Sequence, residues 1–133
     1  MAELQIDTPR RSEMIDITMR VNGLIPAALK SGICHLFCPH TTAALTINEN
    51  ADPDVKHDLL TKLEQIIPHT ESFYRHQEGN SDAHLKAALI GFSLAIPVKN
   101  GKLSLGTWQG VYFCEFDGPR QRKIQVYWQT AEA

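Results

Sequence analysis

Hydrophobic and polar positions follow two periods along this chain, and the switches between them mark out its elements. Residues 4–7, Leu-Gln-Ile-Asp, alternate and predict a first strand; residues 13–16 predict a second, with the basic turn Pro9-Arg10-Arg11 between them. Val21, Leu24, Ile25, Ala28 and Leu29 then fall at helical spacing, and Ser31-Gly32 supplies a stop. Gly23 and Pro26 lie inside that pattern, so the helix is expected to be kinked or to begin late. Residues 33–38 read as a strand with Ile33, His35 and Phe37 on one face and Cys34, Leu36 and Cys38 on the other. The polar break Pro39-His40-Thr41-Thr42 separates it from a further strand over 43–47.

Asp52-Pro53 has the form of an N-cap followed by proline at the first helical position. Val55, Leu59, Leu63 and Ile66, with Leu60 and Ile67 beside them, make an apolar stripe that runs to Pro68. Residues 76–86 are densely polar. They predict a loop that turns at Gly79-Asn80, with Ser81 or Asp82 capping a short helix from about residue 83 to Ile90. His84 would then lie in the first helical turn. The last third is β-rich: residues 93–98, an Asn100-Gly101 hairpin signal, residues 102–105, and a second hairpin of 111–116 with 123–128 around Asp117-Gly118-Pro119-Arg120. The order ββαββααββββ predicts an α+β domain with a large, mostly antiparallel sheet and helices on one side.

Composition narrows the classes. A chain of 133 residues, 43% hydrophobic and 21% charged, predicts a single domain over residues 1–133 with an ordinary core. The net charge of −2 and the lack of a basic run argue against nucleic acid and anionic membranes as partners. No apolar stretch approaches the about 20 residues of a membrane span. Cys34, Cys38 and Cys114 are odd in number with no CxxC pair, which predicts reduced thiols and a cytoplasmic location.

Four polar clusters interrupt the apolar strands, and they carry the candidate chemistry. At 39–42, a histidine and two hydroxyls at a strand break suit anion binding, metal ligation or base catalysis; the threonines could equally satisfy local backbone groups. At 48–52, Asp52 is accounted for as a cap, whereas Asn48 and Glu49 are not. In the third cluster Asp82 and His84 form a possible carboxylate–imidazole pair, with Lys86 two residues on. The fourth joins Trp108-Gln109 to the stretch Asp117–Arg122: an indole beside an amide suits a flat heterocycle. Arg120 and Arg122 could grip phosphate or pair with Glu115 and Asp117. HEXXH, CxxC pairs, a Walker loop, GxGxxG and a nucleophile elbow are all absent from the sequence.

These clusters, in this order, resemble the YjbQ family. The resemblance rests on Pro39-His-Thr-Thr-Ala-Ala-Leu-Thr-Ile-Asn-Glu49, Asp52-Pro53, Glu78-Gly-Asn80, Asp82-Ala-His84-Leu-Lys86, Gly106-Thr-Trp-Gln109 and Phe116-Asp-Gly-Pro-Arg120. It implies an α+β fold with a β-sandwich-like core, two to three helices and assembly as a homotrimer. It also implies a weak thiamine-phosphate synthase-type activity on phosphorylated small molecules. The motif residues would be His40, Thr41, Asn48, Glu49, Asp52, Asn80, Asp82, His84, Lys86, Gln109, Asp117 and Arg120. On chemical grounds, His40, Glu49, Asp82 and His84 are the expected catalytic groups. Thr41, Asn48, Asn80, Lys86, Trp108, Gln109 and Arg120 are the expected substrate contacts. His40 and His84 are the candidate ligands of a divalent ion such as Mg or Zn, with no organic cofactor. The alternative is a non-catalytic trimer that binds a metal or metabolite.

Overall fold

The computed structural model describes residues 1–131. Its strands divide into two antiparallel sheets, as the sandwich-like core implied by the resemblance has it and in place of the one large sheet the element order alone suggests. The five-stranded sheet runs in the order β1 (Ala2–Asp7), β8 (Gln121–Thr130), β3 (Ser31–Phe37), β5 (Ser93–Lys99), β6 (Lys102–Leu103). The three-stranded sheet is β2 (Glu13–Asp16), β7 (Gln109–Glu115), β4 (Ala43–Glu49). Three helices complete the fold: α1 (Thr18–Asn22), α2 (Pro53–Ile66) and α3 (Ser81–Ile90). The class is α+β, with mostly antiparallel sheets.

Alternation along the strands explains the layering. Cys34 and Leu36 of β3, Ile96 and Val98 of β5 and Ile124 and Val126 of β8 are buried against Ala43 and Leu45 of β4 and Val111 and Phe113 of β7. The intervening residues of the small sheet, Ala44, Tyr112 and Cys114, face a second cluster with Leu63 of α2 and Ala83 and Ala87 of α3. The small sheet is therefore covered on both faces, which is why residues 110–116 are buried without a break. Cys34 and Cys114 thiols are pushed up to about 12 by burial, and Cys38 is raised for the same reason. All three are free, buried thiols.

Local chemistry sets several boundaries as the residues predict. Asp52 accepts the Asp54 amide at 2.9 Å with Pro53 opening α2. Asn100 (φ 51) and Gly101 (φ 74) are both left-handed, the pairing a tight two-residue hairpin turn needs, and they join β5 to β6. The β3 faces divide as expected, with Cys34 and Leu36 buried and Phe37 exposed.

Other expectations are corrected. The helix expected over 21–29 is the five-residue α1, which begins earlier and ends at Asn22. Asp16 accepts the Thr18 amide and hydroxyl and so starts it early. Gly23 and the missing amide of Pro26 end it, and Leu29 reaches the core through a turn that bonds to the Pro26 carbonyl. Residues 111–116 and 123–128 do not form a hairpin: β7 and β8 belong to different sheets, and residues 116–120 turn the corner between them. Strand β6 ends at Leu103, short of the expected residue 105. On α2, Ile66 is turned outwards and 54% exposed. Helix α3 begins at Ser81, two residues early. Asn80, rather than Ser81 or Asp82, holds the cap position, and it does so without a side-chain cap bond; the Asp82 carboxylate is taken by Arg11 and Lys86 instead.

Candidate functional site

One end of the molecule gathers the β3–β4 connection, the start of α3 and the β7–β8 corner around a cleft. A polar cavity of about 440 Å³ has His40, Thr42, His76, Asn80, Asp117 and Arg120 among its lining residues. An apolar cavity of about 580 Å³ adjoins it, walled by Phe37, Ala43, Ala87, Ala88 and Phe92. The two share Pro39, His40, Thr41 and His84, so both imidazoles stand where the polar half meets the apolar half. Phe37 and Phe92 meet edge to face, ring centroids 5.7 Å apart.

Two buried ion-pair systems hold these walls. Glu115, fully buried at the end of β7, accepts from Arg122 Nε (2.7 Å) and Nη2 (2.5 Å), Thr8 Oγ1 (2.8 Å) and the amides of Phe116 and Asp117 (3.0 Å each). Burial alone would raise its pKa; the Arg122 hydrogen bonds and the other donors overcome it and hold the carboxyl below the usual range. Arg122 Nη2 also donates to Thr42 Oγ1 at 2.8 Å, and Thr8 Oγ1 accepts the Arg120 amide at 2.8 Å. One carboxylate thus fixes both the 39–42 connection and the 116–120 corner. Gly118 is obligatory in that corner: a Cβ there would collide with the Arg10 carbonyl and stand 2.8 Å from Thr8 Oγ1.

The second system centres on Asp82, fully buried, which Arg11 grips with two hydrogen bonds (2.9 and 3.1 Å) while Lys86 Nζ donates at 3.1 Å. Lys86 also donates to Glu64 on α2 at 2.5 Å. Burial opposes ionisation of Asp82, but the Arg11 and Lys86 hydrogen bonds prevail and lower its pKa. The pair ties α3 to α2 and to the β1–β2 turn.

Above these supports lie the accessible groups. Asp117 accepts from Asn80 Nδ2 (2.8 Å) and Arg120 Nη2 (2.9 Å), which outweigh burial and lower its pKa. Arg120 is half exposed, with Nε on the Asp117 carbonyl at 2.8 Å. His40 Nε2 faces the main chain of Lys123, 3.0 Å from its carbonyl oxygen and 3.1 Å from its amide nitrogen. Burial, assisted by the Arg122 charge, lowers the His40 pKa, so its imidazole is neutral at pH 7. The His76 and His84 rings meet edge to face with centroids 5.3 Å apart, and His76 Nε2 lies 3.7 Å from Glu78.

Of the residues singled out in the sequence, the structure brings together His40, Thr41, Asn80, His84, Arg120 and Asp117. Asp82 lies beneath them, and Lys86 is turned to Asp82 and Glu64, outside the cavity walls. Asn48, Glu49, Trp108 and Gln109 are elsewhere. They sit at the far end of β4 and β7, where Glu49 is paired with Gln109 and the Asn50 amide bonds to the Trp108 carbonyl. The length of β4 puts them about 20 Å away. Trp108 is 63% exposed there. The pairing of the two arginines with Glu115 and Asp117, the alternative the sequence left open, is present as Arg122–Glu115 and Arg120–Asp117. The sequence did not reveal the added support of Thr8 and Arg11, nor the apolar wall of Phe37 and Phe92.

Among the described residues, no three His, Cys, Asp or Glu side chains converge as metal donors. A resident ion held by His40 and His84 would lack the remaining protein ligands of a closed site. No helix is long and apolar enough to cross a membrane among the described residues.

The cleft lies at one end of an α+β domain built on two antiparallel sheets. Comparison with known proteins then places the chain, which belongs to the YjbQ-like UPF0047 family: the family model matches residues 2–131. It is 53% identical over 124 residues to the UPF0047 protein YugU of Bacillus subtilis, covering 92% of this chain and 94% of that one. A Methanocaldococcus jannaschii UPF0047 protein is 51% identical over 123 residues, covering 92% and 88%. A crystal structure of an uncharacterized conserved YjbQ/UPF0047 family protein from Clostridium acetobutylicum superposes with a TM-score of 0.93 at 50% identity, covering 96% of this chain and 99% of that one. A YbjQ-like protein of unknown function from Sulfolobus solfataricus gives 0.91 at 35% identity, covering 98% and 96%.

Proposed function

We propose that the cleft binds a phosphorylated small molecule with a flat ring and acts on it, most concretely in a thiamine-phosphate synthase-type transfer. The observation that carries this reading is the junction of a polar cavity with an apolar one along His40, Thr41 and His84. Arg120 is the accessible cation for phosphate oxygens, and Phe37 and Phe92 offer a surface for the ring. In the transfer, the C–O bond of a pyrimidine diphosphate breaks and pyrophosphate leaves with the electron pair. The thiazole nitrogen of the second substrate then forms the new C–N bond. Arg120 would stabilise the departing charge, and neutral His40 would hold or move a proton at its ring nitrogen.

The exposed apolar groups Phe37, Phe73, Leu85, Leu89 and Phe92 support assembly as a homotrimer, since exposed apolar patches commonly mark protein contacts. A second reading, a non-catalytic trimer that binds a metabolite or a divalent ion, draws on the two imidazoles in one wall. Metal analysis of tag-free protein and thermal shifts with Mg and Zn separate the two. The enzyme reading is tested by supplying both precursors to pure protein and measuring thiamine phosphate. His84→Ala is expected to abolish product; formation at the unaltered rate would refute the site.

A further inference from the structure

A separate cavity, of about 230 Å³, lies between α2 and the outer face of the small sheet, and it shares no lining residue with the cleft. Its apolar part is made by Met14 of β2, Cys114 of β7, Leu59 and Leu63 of α2 and Ile90 at the end of α3. Protein interiors pack closely enough that few voids exceed a water molecule, so a space of this size calls for an occupant. Its volume lies between the about 150 Å³ of an apolar cavity that holds benzene and the about 300 Å³ at which drug-sized sites begin, so the occupant has roughly five to eight carbon atoms. The walls offer aliphatic and sulfur groups but no aromatic ring, which suits a chain.

The polar part of the lining consists of hydrogen-bond donors. Alternation along β4 puts Ala44, Thr46 and Asn48 on the face that turns to α2, and Thr46 and Asn48 line the cavity with Lys62. Asn48 Oδ1 is spent on the Glu49 amide at 2.7 Å, which leaves the Nδ2 donors as the available end of the side chain. On α2, Lys56 pairs with Glu13 and Glu64 with Lys86, whereas exposed Lys62 takes no carboxylate partner among the described residues. No carboxylate lines the cavity among the described residues. The site therefore offers an ammonium, an amide N–H and a hydroxyl beside an aliphatic interior.

We propose that this cavity binds a short aliphatic carboxylate, with its chain between Leu59, Leu63 and Cys114 and its anionic head at Lys62, Asn48 and Thr46. Asn48, which the cleft leaves unused, then has a role. Burial keeps the Cys114 thiol protonated, so the acid is held without a covalent bond.

The test is a titration of the whole protein with acetate, hexanoate and hexan-1-ol, followed by the methyl NMR signals of Met14, Leu59, Leu63 and Ile90. Those signals should shift saturably with hexanoate. Hexanoate should bind at least about tenfold more tightly than acetate, because each methylene taken out of water adds roughly fourfold. Lys62→Met should weaken hexanoate about threefold, the loss of an exposed ion pair, and leave hexan-1-ol unchanged. Asn48→Ala is the second variant and should act in the same direction. His84→Ala should bind hexanoate as the unaltered protein does. Equal binding of acetate and hexanoate, or shifts confined to Ala43, Ala87 and Ala88 of the cleft, would overturn the inference. So would an unchanged hexanoate affinity in both Lys62→Met and Asn48→Ala, or a loss of hexanoate binding in His84→Ala, which would put the acid in the cleft instead.

Discussion

Replacing Glu115 by glutamine isolates the support beneath the cleft. The substitution keeps the side-chain volume but removes the charge opposite Arg122 and turns one acceptor oxygen into a donor. Arg122 is 7% exposed, and its remaining side-chain partner is Thr42. Five hydrogen bonds converge on the Glu115 carboxylate, two of them from the main chain of the corner that carries Asp117. Removing one partner of a buried, well-bonded ion pair costs about 3–5 kcal/mol, because the other charge stays buried and uncompensated. For a chain of this size that corresponds to a fall in Tm of roughly 11–18 °C. Circular dichroism melts and urea titrations measure it, with an unchanged m-value expected. Glu3→Gln is the control: its contact with Lys123 is 4.0 Å long and half exposed, so it should move stability by no more than about 0.5 kcal/mol. A loss below about 1 kcal/mol for Glu115→Gln would refute the reasoning, since the carboxylate would then not be the buried acceptor that organises the corner.

Lys86→Met should cost about 2–3 kcal/mol, less than a full pair because Arg11 still grips Asp82, and should leave binding of a phosphate ester unchanged. Lost binding with intact stability would instead put Lys86 in contact with ligand. Gly118→Ala should destabilise by about 1–3 kcal/mol in urea, since the new methyl meets main chain on one side and Thr8 on the other; a neutral result would mean that the corner shifts freely. Asp82, Glu115 and Asp117 all titrate below their ordinary values of 3.8, 4.5 and 3.8, so the unfolded chain takes up protons first. Their stabilisation is fully present above those values and is lost as the pH falls through the lower, folded values. His40, also depressed, begins its own loss below 6.5. The urea midpoint should therefore drop steadily from pH 6 to 3, less steeply in Glu115→Gln, and a flat profile would contradict the ion-pair account.

Nearest-neighbour chemistry determined much of the fold within the sequence alone. Asp52-Pro53 starts α2, Asn100-Gly101 turns β5 into β6, and alternation sorts Cys34 and Leu36 from Phe37, because each of these choices depends on a few adjacent residues. The family motif likewise drew attention to His40, Asn80, His84 and Arg120, which do share one cleft. Tertiary structure decided what depended on distant partners. Whether 111–116 pairs with 123–128 rests on which apolar face each strand must bury, and the double-sided burial of β7 sends the two strands to different sheets. A charged side chain shows its type in the sequence but its partner only when that partner is close by: Arg122–Glu115 and Arg120–Asp117 were among the pairings the sequence offered, whereas Lys86 is drawn inwards by Asp82 and by Glu64 of another helix. The motif residues Asn48, Glu49 and Gln109 were separated from His40 by the length of β4 itself, since an extended strand carries its two ends apart while keeping them adjacent in sequence.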